Sequence, residues 1–395
     1  MRNKFDVIIV GAGPAGCACA IQLSKMQPSI KVALLEKGIF PRDKICGDAL
    51  SQDVLNQIQK LSPELFLKVS EAGSTYKING VKIGGQKASF SYRFGPGSKM
   101  QMFTIARNDL DALLAEYTRG LSNITFYSDC EVREIEVEAD RVIVQSTRGD
   151  FEGRMIIGAD GAHSVVSRKL GRIPQDKDYH AAALRVYYEN VAGLEEGMIE
   201  LHYIDNIAPG YFWIFPLPEN KANVGLGMSS RKISERKLNL RKILQHNIES
   251  HPVLRDRFLQ AKPLETVKGF GLPLGGKSNA ISGERFLLVG DAASLIDPLT
   301  GEGIANAIRS GRVAADHIAR CLEKGVFSAA MTKAYDKEIY KRMLAEFKAD
   351  AMLRDFIQLF PVSVNMFINI ASKTKILSKS LMDFIMWLHL KIGKM

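Results

Sequence analysis

Continuous apolar runs alternate with glycine turns along the first third of the chain. Residues 5–10 form an almost unbroken apolar run, which predicts a buried parallel strand; it breaks at Gly11 and passes into a small-residue helix running to about Met26. A second run, residues 31–35, predicts a neighbouring strand that stops at Glu36. The same order of strand, turn and helix recurs at residues 156–168 and again at residues 285–293, where it leads through residues 298–303 into another helix of small residues. Between about Asp176 and Lys268 the pattern changes to alternation, predicting half-buried strands joined by a polar connection. Beyond about Phe327 it is helical.

These periods predict an α/β protein. Its Rossmann-type domain is discontinuous, from residues 1–75, 100–175 and 268–330; residues 76–99 and 176–267 supply an inserted antiparallel-sheet domain, and residues 331–395 a C-terminal helical segment. A chain of 395 residues has room for two cores and a sizeable buried site. The net charge of +10 is spread along the chain without a helix-turn-helix, zinc or aromatic RNA-binding signature, which sets nucleic acid aside as a partner. Five cysteines form no CxxC pair and nothing before Asp6 resembles a secretory leader, so a reducing cytoplasm is expected.

The first turn reads Gly11-Ala12-Gly13-Pro14-Ala15-Gly16. Gly11 suits a tight turn, Gly13 lets a diphosphate approach the backbone, and Gly16 lets helix and strand pack closely, while the helix N-terminus offers amide donors. Glu36, twenty residues past Gly16, stands where a carboxylate accepts the hydroxyls of an adenosine ribose, with Lys37 beside it. The second glycine turn, about 280 residues later, decides between dinucleotides, because a nicotinamide dehydrogenase needs no such repeat. There Gly290-Asp291 ends a strand, placing Asp291 near a ribityl hydroxyl. Pro298, Gly301, Glu302, Gly303 and Ile304 lead into a helix whose positive end faces the carbonyl edge of a flavin.

With the central Asp160-Gly161, the three segments resemble the para-hydroxybenzoate hydroxylase-like flavoproteins. That resemblance implies FAD, a role for Asp160 in ordering the diphosphate region, and a position for Arg107 along the cofactor. A surface arginine heading a helix is the other reading of Arg107. One glycine fingerprint leaves no separate nicotinamide domain, so the external electron donor, NAD(P)H or ferredoxin, is expected to dock transiently.

In residues 211–216 Tyr211, Trp213 and Phe215 share one strand face, and Gly225-Leu226-Gly227 follows on an antiparallel partner. Three rings on a face read as core packing or as a ligand wall. The spelling YxWxFP, eight residues, then GxG is similar to the geranylgeranyl reductase family, as is the Cys46-Gly47 segment at residues 41–48. This resemblance runs from Asp6 to about Arg312. It implies an FAD-dependent reductase that saturates double bonds of an isoprenoid or prenyl-lipid substrate by hydride from flavin N5, with Cys46 and Gly47 at the reacting centre and Tyr211, Trp213 and Phe215 as the apolar wall. The alternatives are a flavin monooxygenase or halogenase acting on an aromatic or polyene, and a flavin- and lipid-binding carrier without turnover. Residues 373–395, with Leu381, Phe384, Ile385, Leu388 and Ile392 at helical spacing and five lysines against Asp383 alone, read as a peripheral contact to the inner face of a membrane or as a helical cap.

Overall fold

The structure is a computed structural model that describes residues 2–95, 100–208 and 210–373. The apolar run becomes strand β1 (Val7–Val10), fully enclosed, and the small residues after it become helix α1 (Pro14–Met26). Strand β2 (Val32–Leu35) pairs in parallel with β1, Val7 opposite Val32. Helix α2 (Arg107–Arg119) lies near α1, and strand β3 (Met155–Gly158) pairs with the other edge of β1, Met155 opposite Val7. Among the described residues the complete sheet has six strands, in the order Ser282–Gly283, Phe286–Leu288, β3, β1, β2 and Ile124–Tyr127, with only the first pair antiparallel. Because β1, β2, β3 and Phe286–Leu288 run the same way, the three glycine turns emerge at one edge. That edge is where open parallel sheets bind ligands.

The inserted sheet is built on β4 (His180–Glu189), β5 (Tyr211–Leu217) and β6 (Lys221–Ser229), with β6 between the other two and antiparallel to both. Met198–His202, Gly80–Gly84 and Ser89–Arg93 extend it beyond β5. Three details depart from the reading of the sequence. The pair Met198–His202 and Gly80–Gly84 is parallel, so the sheet is not wholly antiparallel. Residues 268–273, assigned above to the flavin domain, pair with the start of β4, whereas Tyr76–Ile78 joins Met102–Thr104 in a separate three-stranded sheet. The polar connection is helical: Asn239 caps Leu240–Ser250 by accepting from the Lys242 amide, and Leu244 is buried against the sheet.

Helix α3 (Ile304–Lys324) packs along α1. Their closeness needs small residues, for a Cβ on Gly311 would meet the Ala15 carbonyl oxygen at 2.3 Å. The long helix α4 (Ala329–Leu359) turns through 94° into α5 (Pro361–Lys373). Among the described residues no single helix is long and apolar enough to cross a membrane. Of the lysine-rich segment expected at residues 373–395, residues 374–395 lie outside the described residues.

Candidate functional site: a flavin cavity with an aromatic wall

One cavity of about 690 Å³ is bounded by all three glycine turns, the Cys46 segment and the inserted sheet. Its size suits a substantial ligand. At the first turn each glycine has a distinct task. Gly11 sits at φ 96° and a Cβ there would strike the Ala159 carbonyl at 2.4 Å; on Gly16 it would lie 1.9 Å from the Gly11 oxygen. Gly13 is different, since its Cβ would meet nothing nearer than Arg42 Nη2 at 3.9 Å, leaving bare backbone towards the cavity. Gly13 is also the N-cap of α1 and has no side-chain cap, so the first amides remain for a ligand.

Beside this turn, Glu36 Oε2 accepts the Ala12 amide at 2.9 Å, and Oε1 accepts the Gly38 amide at 2.9 Å and Arg42 Nε at 3.0 Å. Arg42, which the sequence reading overlooked, also reaches Asp111 at 3.2 Å and so ties the end of β2 to α2. Arg107 is buried and holds Asp111 through two bonds of 2.7 and 2.8 Å, which removes the surface-arginine reading. Asp160 lines the cavity but spends its carboxylate locally, on Ser164 Oγ and the Val165 and Val166 amides, thereby shaping the turn at Gly161.

The late turn is set by Asp297, whose Oδ1 accepts from the Leu299 and Thr300 amides and the Thr300 hydroxyl. Gly301 follows at φ 74° and Gly303 caps α3 without a side-chain bond, so Asp291, Pro298, Gly301, Gly303 and Ile304 face the cavity. Gly16, Gly290 and Glu302 do not line it. Gly290, at φ 59°, packs between Ala15 and Ala307, and Glu302 accepts from Ser51 Oγ at 2.5 Å, its pKa lifted to about 7 by burial.

Across the cavity stand Tyr211, Trp213 and Phe215, with the Trp213 ring 6.0 Å from Tyr211 and 6.2 Å from Phe215. The glycines after the aromatic motif make room for them: Gly225 lies opposite Trp213 on β6, and a Cβ there would sit 2.2 Å from the indole. Tyr211 donates its hydroxyl to the Thr300 carbonyl at 2.5 Å, tying this wall to the late turn. Gly47 approaches the Phe215 ring so closely that a Cβ would be 3.1 Å away. Burial raises the Cys46 thiol above its usual range, Arg107 opposing, so Cys46 is a neutral thiol near pH 7.

The residue that assembles this corner is Asn223, fully enclosed on β6. Its Nδ2 donates to the Cys46 carbonyl at 2.8 Å and to Asp48 Oδ2 at 2.7 Å, and its Oδ1 accepts from Trp213 Nε1 at 2.9 Å. Asp48, at φ 68°, takes a further bond from the Tyr187 hydroxyl at 2.7 Å, while its Oδ1 has no partner; burial lifts its pKa to about 6. Lys44 lies 3.1 Å over the Phe270 ring on the cavity wall, and burial depresses its pKa to about 8. Sequence reasoning missed Asn223, for which the one available signal is a polar side chain inside the apolar stretch of residues 222–226.

Bare backbone at Gly13, uncapped helix ends at Gly13 and Gly303, and a carboxylate at the second strand end fit the diphosphate, flavin and ribose of FAD. Fold and site together define an FAD-dependent oxidoreductase. The model of the FAD binding domain family matches residues 4–345, and the chain belongs to that family. It is 28% identical over 322 residues to the menaquinone reductase of Mycobacterium tuberculosis, covering 80% of this chain and 76% of that one. To the digeranylgeranylglycerophospholipid reductase of Thermoplasma acidophilum it is 28% identical over 356 residues, covering 86% and 84%. A crystal structure of a geranylgeranyl bacteriochlorophyll reductase-like protein from Thermoplasma acidophilum superimposes with a TM-score of 0.78 at 25% identity, over 95% of this chain and 93% of that one.

Proposed function

We propose that the protein saturates carbon–carbon double bonds in an isoprenoid chain of a lipid. The observation that carries this reading is the facing of a continuous aromatic wall, Tyr211, Trp213 and Phe215, onto the Cys46–Gly47 turn within the same cavity as the glycine cradle. An isoprenoid offers few polar handles, so burial of its apolar surface, at about 25 cal/mol per Å², must hold it. The rings supply that surface, and the name of the digeranylgeranylglycerophospholipid reductase above agrees with such a substrate. FAD, reduced by NAD(P)H or ferredoxin, supplies the hydride. The chain's own residues hold the alkene against the rings, exclude water, and keep the Cys46 turn in place through Asn223.

An anaerobic single turnover tests this. Protein reduced in advance and mixed with a geranylgeranyl-bearing lipid should be reoxidised as the lipid gains H2 at each bond saturated. Oxygen uptake coupled to substrate, with a hydroxylated or halogenated product, would instead establish a monooxygenase or halogenase. Tight lipid binding with no reduction of the flavin by any donor would establish a carrier.

A further inference from the structure

Large apolar side chains are exposed in one place above all. Nine of the fifteen such residues among the described ones fall between residues 352 and 370, at the elbow of α4 and α5. On α4 they are Met352, Leu353, Phe356, Leu359 and Phe360 just past its end, spaced to share a face, with the Phe356 and Phe360 rings 5.2 Å apart. On α5 they are Val362, Met366, Phe367 and Ile370. The fold does not need this face: α5 is seated by its other side, where Ile368 and Ala371 pack on Phe90, and Asn365 accepts from the Gln86 amide at 2.8 Å and donates to Asp205 at 2.7 Å.

We infer that this elbow docks the enzyme onto an anionic lipid bilayer, with Leu359 and Val362, 74% and 73% exposed, at its tip. Two observations choose this occupant. The chain that continues from the elbow is basic, with Lys373, Lys375, Lys379, Lys391 and Lys394 against Asp383, which complements anionic headgroups. The elbow also adjoins the site: Arg354, on the same turn of α4, lines the large cavity, while Ile357 and Val364 line a smaller recess that shares Gly210 with it. A bilayer on this surface lies beside the cavity wall at Arg354. The surface stands independently of which substrate the cavity takes.

The test uses the full chain loaded with FAD and vesicles of phosphatidylcholine and phosphatidylglycerol in equal parts. Leu359→Asp combined with Val362→Asp should weaken vesicle co-sedimentation by roughly a hundredfold, since each buried side chain is worth about a factor of ten. Flavin content and turnover of a detergent-dispersed substrate should stay unchanged, and vesicles of phosphatidylcholine alone should bind more weakly. Undiminished sedimentation of the variant overturns the inference. So does failure of the unmodified chain to bind vesicles, whether the elbow is covered by its own residues 374–395 or, as a dimer dispersed by the two substitutions would show, by a second copy.

Discussion

Replacing Asn223 by leucine should cost far more than the loss of one polar side chain. Leucine keeps the branched skeleton of asparagine and is the larger of the two, so no cavity opens. What changes is that the Trp213 indole N–H and the Cys46 carbonyl lose their partners inside the protein, and Asp48 Oδ2 keeps only Tyr187. A stranded buried group costs about 1–3 kcal/mol, which puts the total near 3–6 kcal/mol, a large part of the stability of a typical domain. Urea unfolding of the FAD-loaded protein, followed by far-ultraviolet circular dichroism, measures it. Trp213→Phe in both backgrounds should expose a coupling of about 1 kcal/mol between the two side chains. A loss below about 1 kcal/mol for Asn223→Leu, or additive effects in that cycle, would refute the claim that this one amide organises the corner.

Four other outcomes are expected. Gly13→Ala should leave the melting temperature nearly unchanged yet weaken FAD retention at least roughly tenfold, read from the flavin absorbance of the purified protein, whereas Gly16→Ala should destabilise the fold by about 1–3 kcal/mol or more. Asp48 has a folded pKa of about 6 against an ordinary 3.8, so its protonated form favours folding; the associated stability is present below pH 4 and lost as pH rises to about 6. That loss is about 3 kcal/mol, and urea midpoints for Asp48→Asn should lack this slope when compared with the unsubstituted protein between pH 4 and 7. Trp213→Ala should abolish retention of a prenyl lipid while FAD stays bound, and unchanged lipid affinity would return β5 to plain core. Lys44, with its pKa near 8, should be acylated at pH 8 ahead of exposed lysines and be protected by FAD, as peptide mapping would show.

The flavin half of the fold was legible because its signals are local. Continuous apolar runs gave β1, β2 and β3, the glycine turns gave the helix starts at Pro14 and Ile304, and parallel pairing could then put the turns at one edge. The aromatic face of β5 was legible from alternation, and Gly225 opposite Trp213 explains why a GxG follows it. Pairings between distant segments were not legible. Residues 268–273 join β4 across a long interval, and the parallel pairing of Gly80–Gly84 with Met198–His202 leaves no mark in either strand's own pattern. Arg42 and Asn223 were missed for a related reason: each acts by bonding partners far away in the chain, 69 residues on for Arg42 with Asp111 and 177 residues back for Asn223 with Cys46.

Those long-range bonds also explain how two sheets with separate cores can form one cavity. Tyr211 holds the late turn by its hydroxyl, Asn223 holds the Cys46 turn by its amide, and both sit on adjacent strands of the inserted sheet. The turns proposed to approach the flavin are therefore braced from the inserted sheet. A change at Tyr211 or Trp213, the proposed substrate wall, should then be felt at the cofactor. Tyr211→Phe, which keeps the ring and removes only the bond to the Thr300 carbonyl, should consequently disturb the flavin environment even with no substrate present. An altered flavin absorbance band or a shifted reduction potential in that variant would demonstrate the bracing. A spectrum and potential identical to those of the unsubstituted protein would show instead that the late turn is held by Asp297 alone.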